Sequence, residues 1–372
     1  MDIQQFKGLP FYLKLASVLF SLIAIVYIVI VAKEILSPII FSCLFSILLL
    51  PYAAWLENKL HLPRSAASML AVLCLLACIG GLLYVIGSQI SNLASDWPQF
   101  QDQLHKSQDD IMGWIRSSFH VTKHKQLTFV ANTTNKVVAS GGSVVGATLL
   151  SLSSILLFLV FTFIYTFFFL LYRKLIMRFF ESVFQEDNKK LVHDIIENVQ
   201  YIIRKYIIGL LIEMAIIAIV VSGAFMLLGV KYAILLGLIT ALFNIIPYIG
   251  IFTALVISAA VTLATGPQST VIYVIITLVV THLIDSNILL PVVVGSKVRI
   301  NALITVLGVI IGEMVWGIPG MFLSIPVIAV LKIIFDRVES LKSWGIILGD
   351  EDFKQNRLAK KLRVKKKVVL SP

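Results

Sequence analysis

A chain of 372 residues that is 59% hydrophobic and only 14% charged does not have the make-up of a water-soluble globular domain. Its apolar residues gather in runs of roughly 20, the length that spans hydrocarbon. The net charge of +11 has no foldable nucleic-acid-binding pattern beside it, so it is read as membrane orientation and lipid contact, with no nucleic acid as partner. No Walker-type phosphate loop, zinc-protease helix or serine nucleophile elbow occurs, which argues against nucleotide hydrolysis and an intramembrane enzyme; no cofactor or metal centre is expected.

In chain order, residues 15–32, 36–56, 66–89, 148–172, 206–229 and 268–290 read as six plain helical spans. Lys7 and Lys14 precede the first, which has no small-residue cleavage site and reads as a retained helix. Cys43, Cys74 and Cys78 lie within apolar runs, where a thiol acts as a small hydrophobe. Lysine and arginine stay on the cytoplasmic side. Lys59, Arg64, the stretch 173–205 and the tail then fall inside together with the N-terminus, and 91–146 falls outside. The expected units are 1–90 (three spans), 91–146 (an external helical region), 147–172 (the fourth span), 173–205 (an amphipathic helix on the cytoplasmic surface), 206–340 (a C-terminal core) and 341–372 (a basic tail). In that tail Lys360, Lys361, Arg363, Lys365, Lys366 and Lys367 are expected to face anionic lipid.

Two further apolar segments, 232–264 and 302–335, are interrupted. The first carries Asn244, Pro247 and Gly250, the second Glu313, Gly317, Pro319 and Gly320. Backbone groups freed by such breaks need partners, so broken helices persist in a bilayer only where protein or a wet cavity covers them. Halves of about 13 residues reach only about 20 Å, short of a core of about 30 Å. Each segment either crosses once as an overlong helix, giving eight spans, or, as these lengths and the basic loop holding Lys297 and Arg299 favour, folds back as a re-entrant hairpin. The strings Leu236-Gly237-Leu238-Ile239 and Leu307-Gly308-Val309-Ile310 precede Pro247 and Pro319 in similar fashion, as an inverted repeat would require. The fold expected is all-α, a polytopic membrane protein of about six full spans plus two interrupted segments.

The runs LLGVKYAILLGLITALFNIIPYIG (227–250) and IDSNILLPVVVGSKVRINALITVLGVIIGEMVWGIPGMFLSIPVIAVLKII (284–334) resemble the two signature stretches of the autoinducer-2 exporter family of bacterial transporters. The segments 37–51, 63–71 and 161–173 and the spacing of the spans follow that layout over nearly the whole chain. The resemblance implies a secondary transporter of the bacterial inner membrane and a homo-oligomer. The family includes exporters of the furanosyl quorum signal and sodium or lithium for proton antiporters. Two departures stand out: aspartate at 285 where glutamate is frequent, and Asn301 where histidine is common. A role for a carboxylate survives; one for an imidazole at 301 does not.

An ionisable group within a span costs about 2.5–3.5 kcal/mol at a helix centre. Glu313, just before the second break, reads either as a cation or proton ligand or as a structural partner of the broken backbone. Asn244 either binds substrate beside the first break or caps its helix, with Pro247 and Gly250 forming the break. His282 and Asp285 share a helical face and either relay protons or form the polar end of a span. Glu213 reads as a proton or cation site or, more readily, as a cytoplasm-proximal acid reached by water. The leading function is gradient-coupled export of a small solute such as the autoinducer-2 signal; the alternatives are a sodium or lithium for proton antiporter and a non-transporting membrane scaffold.

Overall fold

The computed structural model describes residues 10–96, 154–246, 249–293 and 300–349. Pro247, nearly all of the external region and the lysine-rich tail, Lys360 to Lys367 included, lie outside the described residues. Those described are helical apart from turns and one isolated bridge between Ile300 and Gly349. The chain is an all-α polytopic membrane protein. Seven of its helices are long and apolar enough to cross a bilayer.

The N-terminal helices are α1 (Phe11–Val31), α2 (Lys33–Lys59) and α3 (Arg64–Ser95), followed by the span α4 (Ser154–Leu171). Next come α5 (Arg173–Val183) and α6 (Glu186–Leu227). The amphipathic stretch expected as one helix over 173–205 is thus two. Phe184 and Gln185 are extended (ψ 149° and 154°) and end α5. Beyond them no helix breaker separates the amphipathic part from the span, so α6 runs unbroken for 42 residues, about 63 Å at 1.5 Å per residue.

The first interrupted segment is α7 (Ala233–Phe243) and α8 (Ile249–Thr265). Then follow α9 (Gln268–Ile284), a π-helical turn (Asp285–Leu289) and α10 (Leu290–Val293). The second interrupted segment is α11 (Ala302–Trp316) and α12 (Ile318–Arg337), and a short α13 (Lys342–Leu348) closes the described chain. The halves are not equally short. α12 has 20 residues, about 30 Å, because Lys332 and Asp336, paired with each other at 2.7 Å, carry the helix past the apolar run. That half alone is long enough to span, which is the seventh candidate span.

Both segments fold back on themselves. At the first break a Cβ on Gly250 would collide with the carbonyl of Phe243, so only glycine lets α8 start this close to the end of α7. In the second, Gly308 faces Ser324 and Ile328 while Gly312 and Gly320 face each other backbone to backbone. That register is antiparallel. Gly317 makes the corner with φ +66° and ψ −143°, a backbone region that is essentially glycine's alone. Pro319 sits in the first turn of α12, where its missing N–H goes unused.

The bundle has two distinct ends. One holds the junction of α2 and α3, the Arg173–Glu57 pair at 2.6 Å and the Arg337–Asp194 pair at 2.6 Å. The second hairpin opens there, with Asn301 N–H on the Leu348 carbonyl at 3.1 Å. The opposite end holds Asp96, which accepts from Lys231 Nζ at 2.6 Å and Tyr232 O–H at 2.5 Å, and the first hairpin opens there. Apolar packing joins these parts. Val221, Phe225, Leu236, Val274 and Leu278 knit α6, α7 and α9 together, and Leu44, Ile207, Leu210 and Leu323 lock α2, α6 and α12.

Candidate functional site

The first hairpin turns back after the 11 residues of α7, and its half-buried tip reaches residues of α6 and of the π-helical turn. The tip residue is Asn244. Its backbone N–H donates to the Thr240 carbonyl at 3.0 Å and closes α7, leaving the amide side chain free to point onward. Its Nδ2 donates to Glu213 Oε1 at 2.9 Å and to Asp285 Oδ2 at 3.1 Å. Both N–H groups of one amide are thereby used on two carboxylates from two other elements.

Glu213 comes from the middle of α6 and is 2% exposed; Asp285 is 6% exposed. Asp285 is the first residue of the π-helical turn, the one such turn among the described residues. A π turn carries an extra residue and shifts the side chains around it, and such turns are frequent at functional sites. Glu213 Oε2 and Asp285 Oδ1 are also buried, and neither has a hydrogen-bond partner among the described residues. The amide thus serves two of the four carboxylate oxygens and leaves two. Two buried acids sharing one neutral donor lack the positive partner that a charge on either would need.

The other candidates fall elsewhere. Glu313 is exposed on α11, and its contribution at the corner is its backbone carbonyl, which accepts the Gly317 N–H at 2.7 Å. His282 is half-buried one turn before Asp285; its carbonyl accepts from Ser286 Oγ, and its Nδ1 is buried with no partner among the described residues. The Asp285 backbone N–H donates to the same carbonyl, but no hydrogen bond between the His282 and Asp285 side chains occurs among the described residues. Gly250 pins the hairpin tip without touching the acids, and Gly317, Pro319 and Gly320 belong to the second corner. Glu213, read as a proton or cation site or as a cytoplasm-proximal acid reached by water, is among the most deeply buried polar residues, on a face of α6 that α7 covers. The convergence of Glu213, Asn244 and Asp285 was not legible in the chain. They are 31 and 41 residues apart, and the available signal was three polar residues standing singly in apolar runs. Among the described residues, no three His, Cys, Asp or Glu side chains gather as a metal site would require.

Residues 19–340 match the model of the AI-2E family transporters. The chain is 26% identical over 314 residues to the "Putative transport protein YrrI" of Bacillus subtilis, covering 82% of this chain and 86% of that one. It is 24% identical over 345 residues to the "Putative transport protein YhhT" of Escherichia coli K12, covering 92% and 95%. A membrane transporter is what the fold, the broken helices and these likenesses share, and the chain belongs to the AI-2E transporter family.

Proposed function

We propose that this transporter is driven by a proton or small-cation gradient, with Glu213 and Asp285 as the coupling carboxylates and Asn244 as the group that holds them together. The observation that carries this reading is the single amide shared by two buried acids at the tip of a broken helix. Two acids buried this deeply call for a proton or a monovalent cation between them, and exchanging one for the other is the elementary step of an antiporter. The unpartnered Oε2 and Oδ1 atoms supply the ligands.

The cargo favoured is sodium or lithium moving against protons, ahead of export of the furanosyl autoinducer-2 signal. A polyhydroxylated ring is held by several neutral donors and acceptors, whereas the site presents two acids and one amide. A scaffold without transport has no use for two buried acids, which cost stability unless they do work. In this reading the hairpins are re-entrant, entering from opposite faces as an inverted repeat, and movement of the first hairpin tip exposes the acids to either side in turn. By the basic-loop rule the end with Arg173 and Arg337 faces the cytoplasm, as do both termini, in a bacterial inner membrane.

Proton movement in everted vesicles on addition of sodium, lithium or potassium tests this. Cation-evoked proton flux is expected in the wild type and not in Glu213→Gln or Asp285→Asn. Flux that survives both substitutions removes the acids from the mechanism; none in well-expressed wild type rules out antiport of those cations and returns export of an organic solute to first place.

A further inference from the structure

In an apolar interior a serine or threonine hydroxyl on a helix ordinarily donates to the carbonyl one turn back. The first hairpin and the helix after it follow this habit at Thr240, Thr265 and Thr277, which donate to the Leu236, Val261 and Tyr273 carbonyls at 2.7, 2.7 and 2.8 Å. Ser258 and Thr262 on α8 do not. Both are buried, at 0% and 1% exposure, and neither hydroxyl has a hydrogen-bond partner among the described residues. Ser37 and Ser68 share that condition, but each stands alone on its own helix, α2 or α3.

α8 packs on α7 and α9. Its buried side carries small residues at every fourth position: Gly250 beside the Phe243 carbonyl, Ala254 at 0% exposure, then Ser258 and Thr262. Thr262 lies three residues from the end of α8 at Thr265, and Ser258 seven, about 4.5 and 10.5 Å of helix. The two hydroxyls thus lead inward from the open end of the hairpin, the end that holds Asp96, Lys231 and Tyr232. Residues four apart on a helix stand about 5–6 Å from each other at their Cβ atoms. One water at about 2.8 Å from each hydroxyl fills such a gap, and a hydroxyl both donates to water and accepts from it. Buried water is found where it serves two or more otherwise unpaired polar groups.

We infer that Ser258 and Thr262 bind water inside the first hairpin, and that this water is the outer part of the route by which a cation or proton reaches Glu213 and Asp285. The route rests on the gradient-driven reading above; the water site does not. Apolar side chains of the same shape would leave nothing unpaired here, so two buried hydroxyls without partners are costly unless something polar visits them. Water is the polar species that reaches positions one and two turns inside an open end, and it carries a proton or a part-hydrated cation equally. From Ser258 the remaining eight residues of α8, about 12 Å, lead past Ala254 to Gly250 and the Asn244 tip.

The test is thiol labelling of the full-length protein in lipid vesicles, with Cys43, Cys74 and Cys78 replaced by alanine and one cysteine introduced at a time. Ser258→Cys and Thr262→Cys are expected to react with 2-aminoethyl methanethiosulfonate, a small water-borne reagent that attacks the thiolate. Val274→Cys, as deeply buried on α9 among apolar side chains, is expected not to react. No labelling at either hydroxyl position, or equal labelling at all three, overturns the water site. Where a cysteine variant does not fold, radiolytic hydroxyl labelling of the wild type takes its place: Val261, 8% exposed, is expected to be modified by adjacent water, and a silent Val261 overturns the site. Thr262→Val keeps the shape and removes the hydroxyl. Cation-evoked proton flux should fall about fivefold, the loss of one hydrogen bond, while the thermal midpoint holds or rises; flux at the wild-type level overturns the route. Labelling at both positions with no flux in the wild type keeps the water site and fails the antiport reading, whereas flux without labelling does the reverse.

Discussion

The two hairpins share a sequence flaw and put it to different uses. In the first, the break leaves a half-buried polar tip, and Asn244 there collects Glu213 and Asp285. In the second, the break is a glycine corner whose arms are zipped by Gly308, Gly312 and Gly320, and the acid next to it, Glu313, is exposed. The difference is one of length and cover. α7 is short and packs against α3, α6 and α8, so its end meets side chains of other elements. α12 is long enough to cross, and its corner lies near the end of α1, where Trp316 Nε1 donates to the Val29 carbonyl at 2.9 Å. An interrupted helix is therefore not in itself a binding site; it becomes one when its tip meets buried acids of other elements.

The contrast breaks most sharply on the acids. Asp285→Asn and Glu213→Gln should each take cation-evoked proton flux to background with expression retained, while Glu313→Gln should leave it intact. Loss of flux in Glu313→Gln alone would reverse the roles of the two hairpins.

Next in size are the glycine contacts. Gly320→Val places a side chain against the Gly312 backbone and should cost about 3 kcal/mol, read as a fall in thermal midpoint. Gly80→Ala, where no neighbour lies within 4 Å, is the control and should leave the midpoint unchanged.

Asn244→Leu removes the donor shared by the acids and should cost about 1–3 kcal/mol in thermal or denaturant unfolding, together with transport. If it unfolds like wild type, the amide does not hold the acids, and the comparison loses its first member.

The smallest effect concerns the end where the first hairpin opens. Lys231 and then Tyr232, by hydrogen bonding to Asp96, hold its carboxyl below the ordinary value, about 3.9. A depressed carboxylate contributes stability that is present above the ordinary value and is lost as pH falls through the folded one. Acidification from about pH 5 to below about pH 3.9 should therefore lower the thermal midpoint of wild type more than that of Asp96→Asn. Equal shifts would show that this contact does not hold the first hairpin.

Much of the architecture is legible in the chain because the bilayer imposes one rule everywhere: a run of about 20 apolar residues satisfies its backbone only as a helix. That rule yields the spans, the all-α class and the exceptional standing of the two broken segments. It misplaces the joint in 173–205, since amphipathic and fully apolar stretches are equally good helix, and nothing in composition forces a boundary between Ile195 and Tyr206. It also takes the second segment as two short halves, because Lys332 and Asp336 look like an end until their mutual pairing is seen.

The sequence by itself determined which residues are out of place in an apolar solvent: Glu213, Asn244, Asp285 and Glu313 each stand where a charge or amide is costly. Only the tertiary structure decided which of these meet. Glu213 and Asp285 meet through Asn244 because α7 stops short beside α6, and Glu313 turns outward. The cost of burial is a property of a residue and its solvent, which a sequence states. Its compensation depends on a partner tens of residues away, and that partner is chosen by helix lengths and by where the chain turns back.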